Sequence, residues 1–149
     1  MLGCCSTYHE HVRTVTLPFT TSFATTLGGS EGTSVAVCWP SAGVTTKLAA
    51  FIEVTFTCAA NTAMAAISLG RTAFTAAPLT GGMVDVSGVQ MVAMATPTTV
   101  LTVNNAPLGE TRAATPVVYV NICSCFTWDA IDVINADGIV KLAYVDLGT

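Results

Sequence analysis

In residues 51–57, FIEVTFT, the apolar side chains fall on Ile52, Val54 and Phe56 and the polar ones on Glu53, Thr55 and Thr57. Successive side chains of a strand point to opposite faces, so this two-residue period lays one face on a core and leaves the other wet. The same period recurs along the chain. Val15, Leu17 and Phe19 alternate with Thr14, Thr16 and Pro18, and Val35, Val37 and Trp39 alternate with Ser34, Ala36 and Cys38. Val118, Val120 and Ile122 share one side of PVVYVNIC. Further strands are predicted over residues 63–69, 83–94 with a break at Gly88, 98–103 and 139–147. The three-to-four-residue recurrence of an amphipathic helix is nearly missing. The one stretch open to a short helix, against the prevailing strand pattern, is residues 127–134, TWDAIDVI, where Thr127 is N-cap-like ahead of acidic residues.

Turn chemistry separates these runs. GGSEG at 28–32, PSAG at 40–43, PLTGG at 78–82, NNAPLG at 104–109 and NADG at 135–138 combine glycine, proline, Asn and Asp, which supply positive φ, a preset bend or tolerance of the left-handed region. Asp137-Gly138, between two strand-like runs, reads as the hairpin turn joining the last two strands. About eight short strands with frequent turns predict an all-β, single-domain antiparallel β-sandwich of jelly-roll-like form. The 149 residues are enough for one such core. The expected organisation is an N-terminal arm over residues 1–11 and a β-sandwich domain over 12–149.

Hydrophobic residues make up 52% of the chain and charged ones only 9%, against about 25% charge in an ordinary soluble domain. The mean hydropathy is +0.65. Something other than water is therefore expected to cover part of the surface. It is not a bilayer crossed by a helix, which needs about 20 consecutive apolar residues, because Glu53, Thr55 and Thr57 interrupt the best run. The opening MLGCCSTYHEHVRTV has neither the basic start nor the apolar stretch of a secretory signal, and lipidation at Cys4 or Cys5 would need the same stretch. Assembly in the cytoplasm is the expectation. A net charge of -4 with Arg13, Lys47, Arg71, Arg112 and Lys141 scattered argues against direct nucleic-acid binding, which draws on clustered cations.

The residues able to carry chemistry concentrate in CCSTYHEH at 4–11, which holds His9 and His11, the two histidines of the chain. Zinc favours thiolate and imidazole but wants paired ligands two to four residues apart on a tight turn. Cys4 and Cys5 are adjacent, and His9 and His11 lack finger spacing, so no metal site is expected there, nor at Cys123 and Cys125. The six cysteines are expected to stay reduced in a cytoplasmic product, with Cys38, Cys58, Cys123 and Cys125 filling core or interface at strand ends; bridges formed after release into an oxidising medium are the open alternative.

Gly28-Gly29-Ser30-Glu31-Gly32 matches the G-x-S-x-G pattern, but a nucleophile elbow leads from strand to helix, whereas here strand follows strand. Ser30 is expected in a hairpin loop. Asn135, Asp137 and Gly138 resemble the middle of a calcium loop, yet its outer ligand positions fall on Val133 and Tyr144. Asp129, Asp132 and Asp137 are then solvated turn carboxylates. Two Trp and three Tyr are too few to line a sugar groove, and Trp39 and Trp128 fit the core. No catalytic, cofactor-binding or metal-binding residue is assigned, and the chain reads as a protein of contact with no enzymatic role.

Taken in order, VTLPFTTSF, TSVAVCWPSAGVTTKLAAFIEVTFTCAANTAMAAISLG, VVYVNICS and IVKLAYVDL resemble the small jelly-roll structural proteins of tailed bacteriophage particles. Residues 40–44 take the place of the Pro-Ala-Gly-like turn, 51–57 of the long alternating strand, and 67–70 of the short strand ending in glycine. The likeness covers residues 12–147 and is one of strands and turns, with no catalytic signature. It implies a head decoration or cement protein of the virion, a homo-oligomer with a trimer favoured, bound to the major capsid protein on the outer shell. The cysteine-rich arm departs from that pattern. Two other readings belong to different classes: a self-assembling jelly-roll coat protein, which usually carries a basic arm where this one offers Arg13, and a carbohydrate-binding or tail-fibre adhesion module, which wants exposed aromatics.

Overall fold

Valine, threonine and phenylalanine at a two-residue period become strands because branched and aromatic side chains pack well on a pleated, half-buried surface. The computed structural model describes residues 12–26, 31–38, 45–57, 64–93, 99–104, 110–112, 117–124 and 133–146. Among them lie nine strands and no α-helix: β1 (Val12–Ala24), β2 (Gly32–Cys38), β3 (Thr45–Thr57), β4 (Met64–Gly70), β5 (Ser87–Ala93), β6 (Thr99–Asn104), β7 (Glu110–Arg112), β8 (Val117–Ser124) and β9 (Val133–Asp146). The expected all-β sandwich is what forms. The predicted arm, residues 1–11, lies outside the described residues.

The strands make two antiparallel sheets. The larger has the order β1-β9-β3-β6, with β7 following β6 along the same side of β3. The smaller has the order β2-β8-β4-β5. The pairing is nested: β1 pairs with β9, β2 with β8, β3 with β6 and β4 with β5. Two further pairings, β9 with β3 and β8 with β4, fold this nested ribbon across itself.

The inward faces meet in one core. Phe19 and Phe23 of β1, Ile52, Val54 and Phe56 of β3, and Ile134, Val140, Leu142 and Tyr144 of β9 face Ile67 and Leu69 of β4 and Val118, Val120 and Ile122 of β8. Val15, Leu17 and Val35 pack against its margin. The alternation legible in residues 51–57 is thus the alternation of burial, whereas in β8 it holds over 117–120 and gives way to burial on both faces over 121–124. Each fully buried Ile, Leu or Phe contributes about 1.5–3 kcal/mol relative to exposure.

Three local expectations are corrected. Asp137 and Gly138 make no hairpin turn; they sit inside β9, opposite Thr20 and Phe19 of β1 and opposite Thr55 and Val54 of β3. Glycine stands there because two neighbours come close. A Cβ on it would lie 2.8 Å from Phe19 Cζ and would collide with the Glu53 carbonyl oxygen, the meaning that a glycine inside a central strand usually has. The last predicted strand, 139–147, is accordingly the second half of the continuous Val133–Asp146. Gly88, expected to break its strand, is inside β5, where a register shift between Ile67 and Leu69 of β4 accommodates an extra residue. Of the stretch open to a short helix, residues 127–132 lie outside the described residues, while Val133 and Ile134 open β9 as extended chain.

Candidate interaction surface

A sandwich has two outer faces, and this chain treats them differently. Between β4 and β5, residues 71–86 leave the smaller sheet and return across its outside. Gly81 at φ +58° takes the left-handed conformation that glycine accepts freely, beginning a single 3-10 turn, Gly81–Met83. Leu79 and Met83 then bury against Ala66 and Cys123, with Phe74, Ala77 and Val84 at the margin. The PLTGG cluster is a turn, as the sequence indicates, but it belongs to a strap that builds a second small core.

Polar groups tie the strap down from beneath. Asn121 on β8 is fully buried, and its Nδ2 donates to the carbonyl oxygens of Thr72 and Met83, each at 3.0 Å. Its Oδ1 has no hydrogen-bond partner. Ser68 Oγ donates to the Met83 carbonyl at 2.7 Å, and Ser87 Oγ accepts from the Leu69 amide at 2.9 Å. At the rim, Arg71 donates its backbone amide and its Nε to the two carboxylate oxygens of Asp85. Burying amides in this way is tolerable only because each donor has a partner.

The outer face of the larger sheet carries no such cover among the described residues. From β1 it presents Thr14, Thr16, Pro18, Thr20 and Ser22, all exposed. The central strand β9 adds Asn135, Asp137, Ile139, Lys141 and Ala143, and β3 adds Phe51, Glu53, Thr55 and Thr57, by the register that sets them side by side. Of the charges among these residues, two are paired with each other and the third is hydrogen-bonded to a hydroxyl. Lys141 Nζ lies 2.9 Å from Glu53 Oε1, and Thr20 Oγ1 donates to Asp137 Oδ1 at 2.7 Å. Between them Phe51 and Ile139 are half-buried. The result is a broad, threonine-rich surface that offers methyl groups and hydroxyls with little uncompensated charge.

One carboxyl away from this face is perturbed. Thr26 donates its hydroxyl to Glu31 Oε1, and this side-chain hydrogen bond, aided by backbone ones, holds the Glu31 carboxyl below its ordinary value, against a smaller upward push from desolvation. The Glu31 carbonyl in turn accepts from both the amide and the hydroxyl of Ser124, at 2.8 and 3.0 Å. These bonds pin the entry of β2 to the end of β8.

The residues singled out from the sequence do not converge. Cys123 is buried beneath the strap and Cys38 is exposed. Asp137 lies on the broad face within extended backbone, not in a loop. Cys4, Cys5, His9, His11, Ser30, Trp39, Cys58, Cys125, Trp128, Asp129 and Asp132 lie outside the described residues. Among the described residues no group of three or more His, Cys, Asp or Glu side chains is placed to hold a metal ion, and no helix is long and apolar enough to cross a membrane. Sequence reasoning missed Asn121 and the strap. The signal available was an amide inside the apolar run VVYVNIC, where a buried polar side chain must find partners.

Compared with known proteins, the chain matches no family model, no curated protein and no solved structure.

Proposed function

We propose that the chain is a non-enzymatic structural component of a virus particle, a decoration or cement protein of the bacteriophage type that associates with itself and binds the major capsid shell. The observation that carries this reading is the broad outer face of the larger sheet, rich in Thr and Ser, with Lys141 paired to Glu53 and Asp137 bonded to Thr20. Protein interfaces are depleted of charge at their centres. A threonine face loses little when water leaves it, because the methyl packs while the hydroxyl still bonds. Support for a jelly roll comes from the nesting itself: first strand with last, second with the one before it, and so inward to β4 with β5 (β7, three residues long, set aside). Two interlocked Greek keys of that kind are frequent in capsid proteins.

The test is co-sedimentation of the purified chain with assembled phage shells. Saturable binding at a fixed ratio to the major shell protein is expected, and Lys141→Glu, which leaves Glu53 and Asp137 without a cation on the same face, should weaken it at least about tenfold while the circular dichroism spectrum is kept. A folded chain that never sediments with shells would remove the proposal.

A further inference from the structure

The four sheet edges are not equally protected. β1 carries Pro18 in mid-strand, exposed, and proline blunts an edge because it has no amide to donate. At the corner where the two sheets meet, the hydroxyls of Thr21 and Thr33 approach to 3.5 Å, linking β1 to β2. On the larger sheet's far side, β6 and β7 share the outer side of β3. β5, the terminal strand of the smaller sheet, differs. Its sequence, SGVQMVA, contains no charge and no proline, and Val89 and Met91 are 40% and 37% exposed with Gln90 exposed between them. An uncharged, proline-free edge with outward apolar side chains is a template for another strand.

We propose that this edge takes β5 of a second copy of the same chain, antiparallel, about a two-fold axis through Gln90. The self-complementarity of the strand selects both occupant and register. With the axis at Gln90, Val89 of one copy stands opposite Met91 of the other, twice by symmetry, and the two Gln90 residues stand opposite each other. Apolar side chains then meet apolar ones. The Gln90 amides, whose Nε2 now donates only a long 3.4 Å bond to the neighbouring Met91 carbonyl, are offered each other. A two-fold axis can pass between antiparallel strands at either kind of residue pair, so the register holds whichever backbone groups point outward. No charge of like sign is brought together, as would happen if the residue on the axis were charged.

Continuity with the small core favours the same arrangement. Met91 lies directly opposite Ala66 in the β4–β5 ladder, and Ala66 packs with Leu79, Met83 and Cys123 beneath the strap. Val89 and Met91 of the second copy would extend that cluster across the axis. The two four-stranded sheets would become one of eight. The straight part of the edge is short, because the register shift falls between Ser87 and Gln90 and the axis sets residues 87–89 of one copy against 91–93 of the other, so regular pairing centres on Val89, Gln90 and Met91 and the association is concentration-dependent.

The inference does not rest on shell binding and is tested without shells. Sedimentation velocity of the full chain over a concentration series should show a monomer–dimer equilibrium. Val89→Lys and Met91→Lys, both at exposed positions, should weaken it at least tenfold with an unchanged thermal melt. Register is tested separately by mild oxidation. Gln90→Cys should trap a disulfide dimer, because directly opposed strand residues fall within disulfide reach, whereas Val89→Cys and the unsubstituted chain should not. A chain that stays monomeric throughout overturns the proposal. So does a trimer insensitive to both lysine substitutions, or cross-linking as efficient through position 89 as through position 90.

Discussion

Gly138 shows how one residue can carry two opposite messages. Beside Asp137 it has the composition of a hairpin turn, yet it lies in the middle of the longest strand, where Phe19 and the Glu53 carbonyl leave no room for a Cβ. Gly138→Ala is expected to cost about 1–3 kcal/mol, as overpacking does, and to appear as a lower denaturation midpoint with an unchanged m-value. A neutral result would mean that both Phe19 and the β3 backbone at Glu53 can give way without loss. Glu31 supplies a second prediction at this scale. Its folded-state carboxyl is held below the ordinary value chiefly by the Thr26 hydroxyl, so the stabilisation it brings is present above the unfolded value and is lost as pH falls through the folded one. Thr26→Val should raise the Glu31 midpoint toward the ordinary carboxylate range in an NMR titration and flatten the acid limb of the stability curve. An unmoved midpoint would assign the depression to the backbone bonds.

Among the elements, the strap differs most from what its sequence suggests. Residues 71–86 contain glycine, proline and threonine in the proportions of a solvent loop, but Leu79 and Met83 bury and two backbone carbonyls, of Thr72 and Met83, take three hydrogen bonds from Asn121 and Ser68. Removing the amide leaves the Thr72 carbonyl without its bond, whereas the Met83 carbonyl keeps Ser68. Asn121→Ala is therefore expected to cost about 2–3 kcal/mol and to loosen the strap locally. The readout is the buried Cys123 thiol, whose reaction with a thiol reagent should accelerate relative to that of exposed Cys38; equal acceleration of both would indicate general unfolding instead. The strands themselves were legible because burial on one face forces a two-residue period that survives any tertiary arrangement. The strap was not, because its apolar residues follow no period and its polar anchors come from β4 and β8, separated from it in sequence.

On the scale of the whole molecule, class and layering follow from pattern while connectivity does not. The period through Ile134, Ala136, Val140, Leu142 and Tyr144 continues in phase across Asp137-Gly138, and all five side chains are buried; a reading weighted toward phase over turn composition finds one strand where the dipeptide suggests two. Which strands pair is a different matter, since β1 meets β9 from the far side of the chain and no local signal encodes a partner so distant. The candidate surface was legible only as a shortage of charge. That Lys141 and Glu53 lie on one face, and that Thr20 reaches Asp137, depends on register.

Nested pairing has one more consequence. Val12 is paired with Val145, so the segments that precede β1 and follow β9 leave the sandwich as neighbours at one pole. A pull applied between the start of β1 and the end of β9 would peel the two strands apart one rung at a time, like a zip. A load shared by the broad face, lying across the strands, would instead strain all the rungs of that ladder together. The β1–β9 ladder is therefore weakest when its two ends are drawn apart.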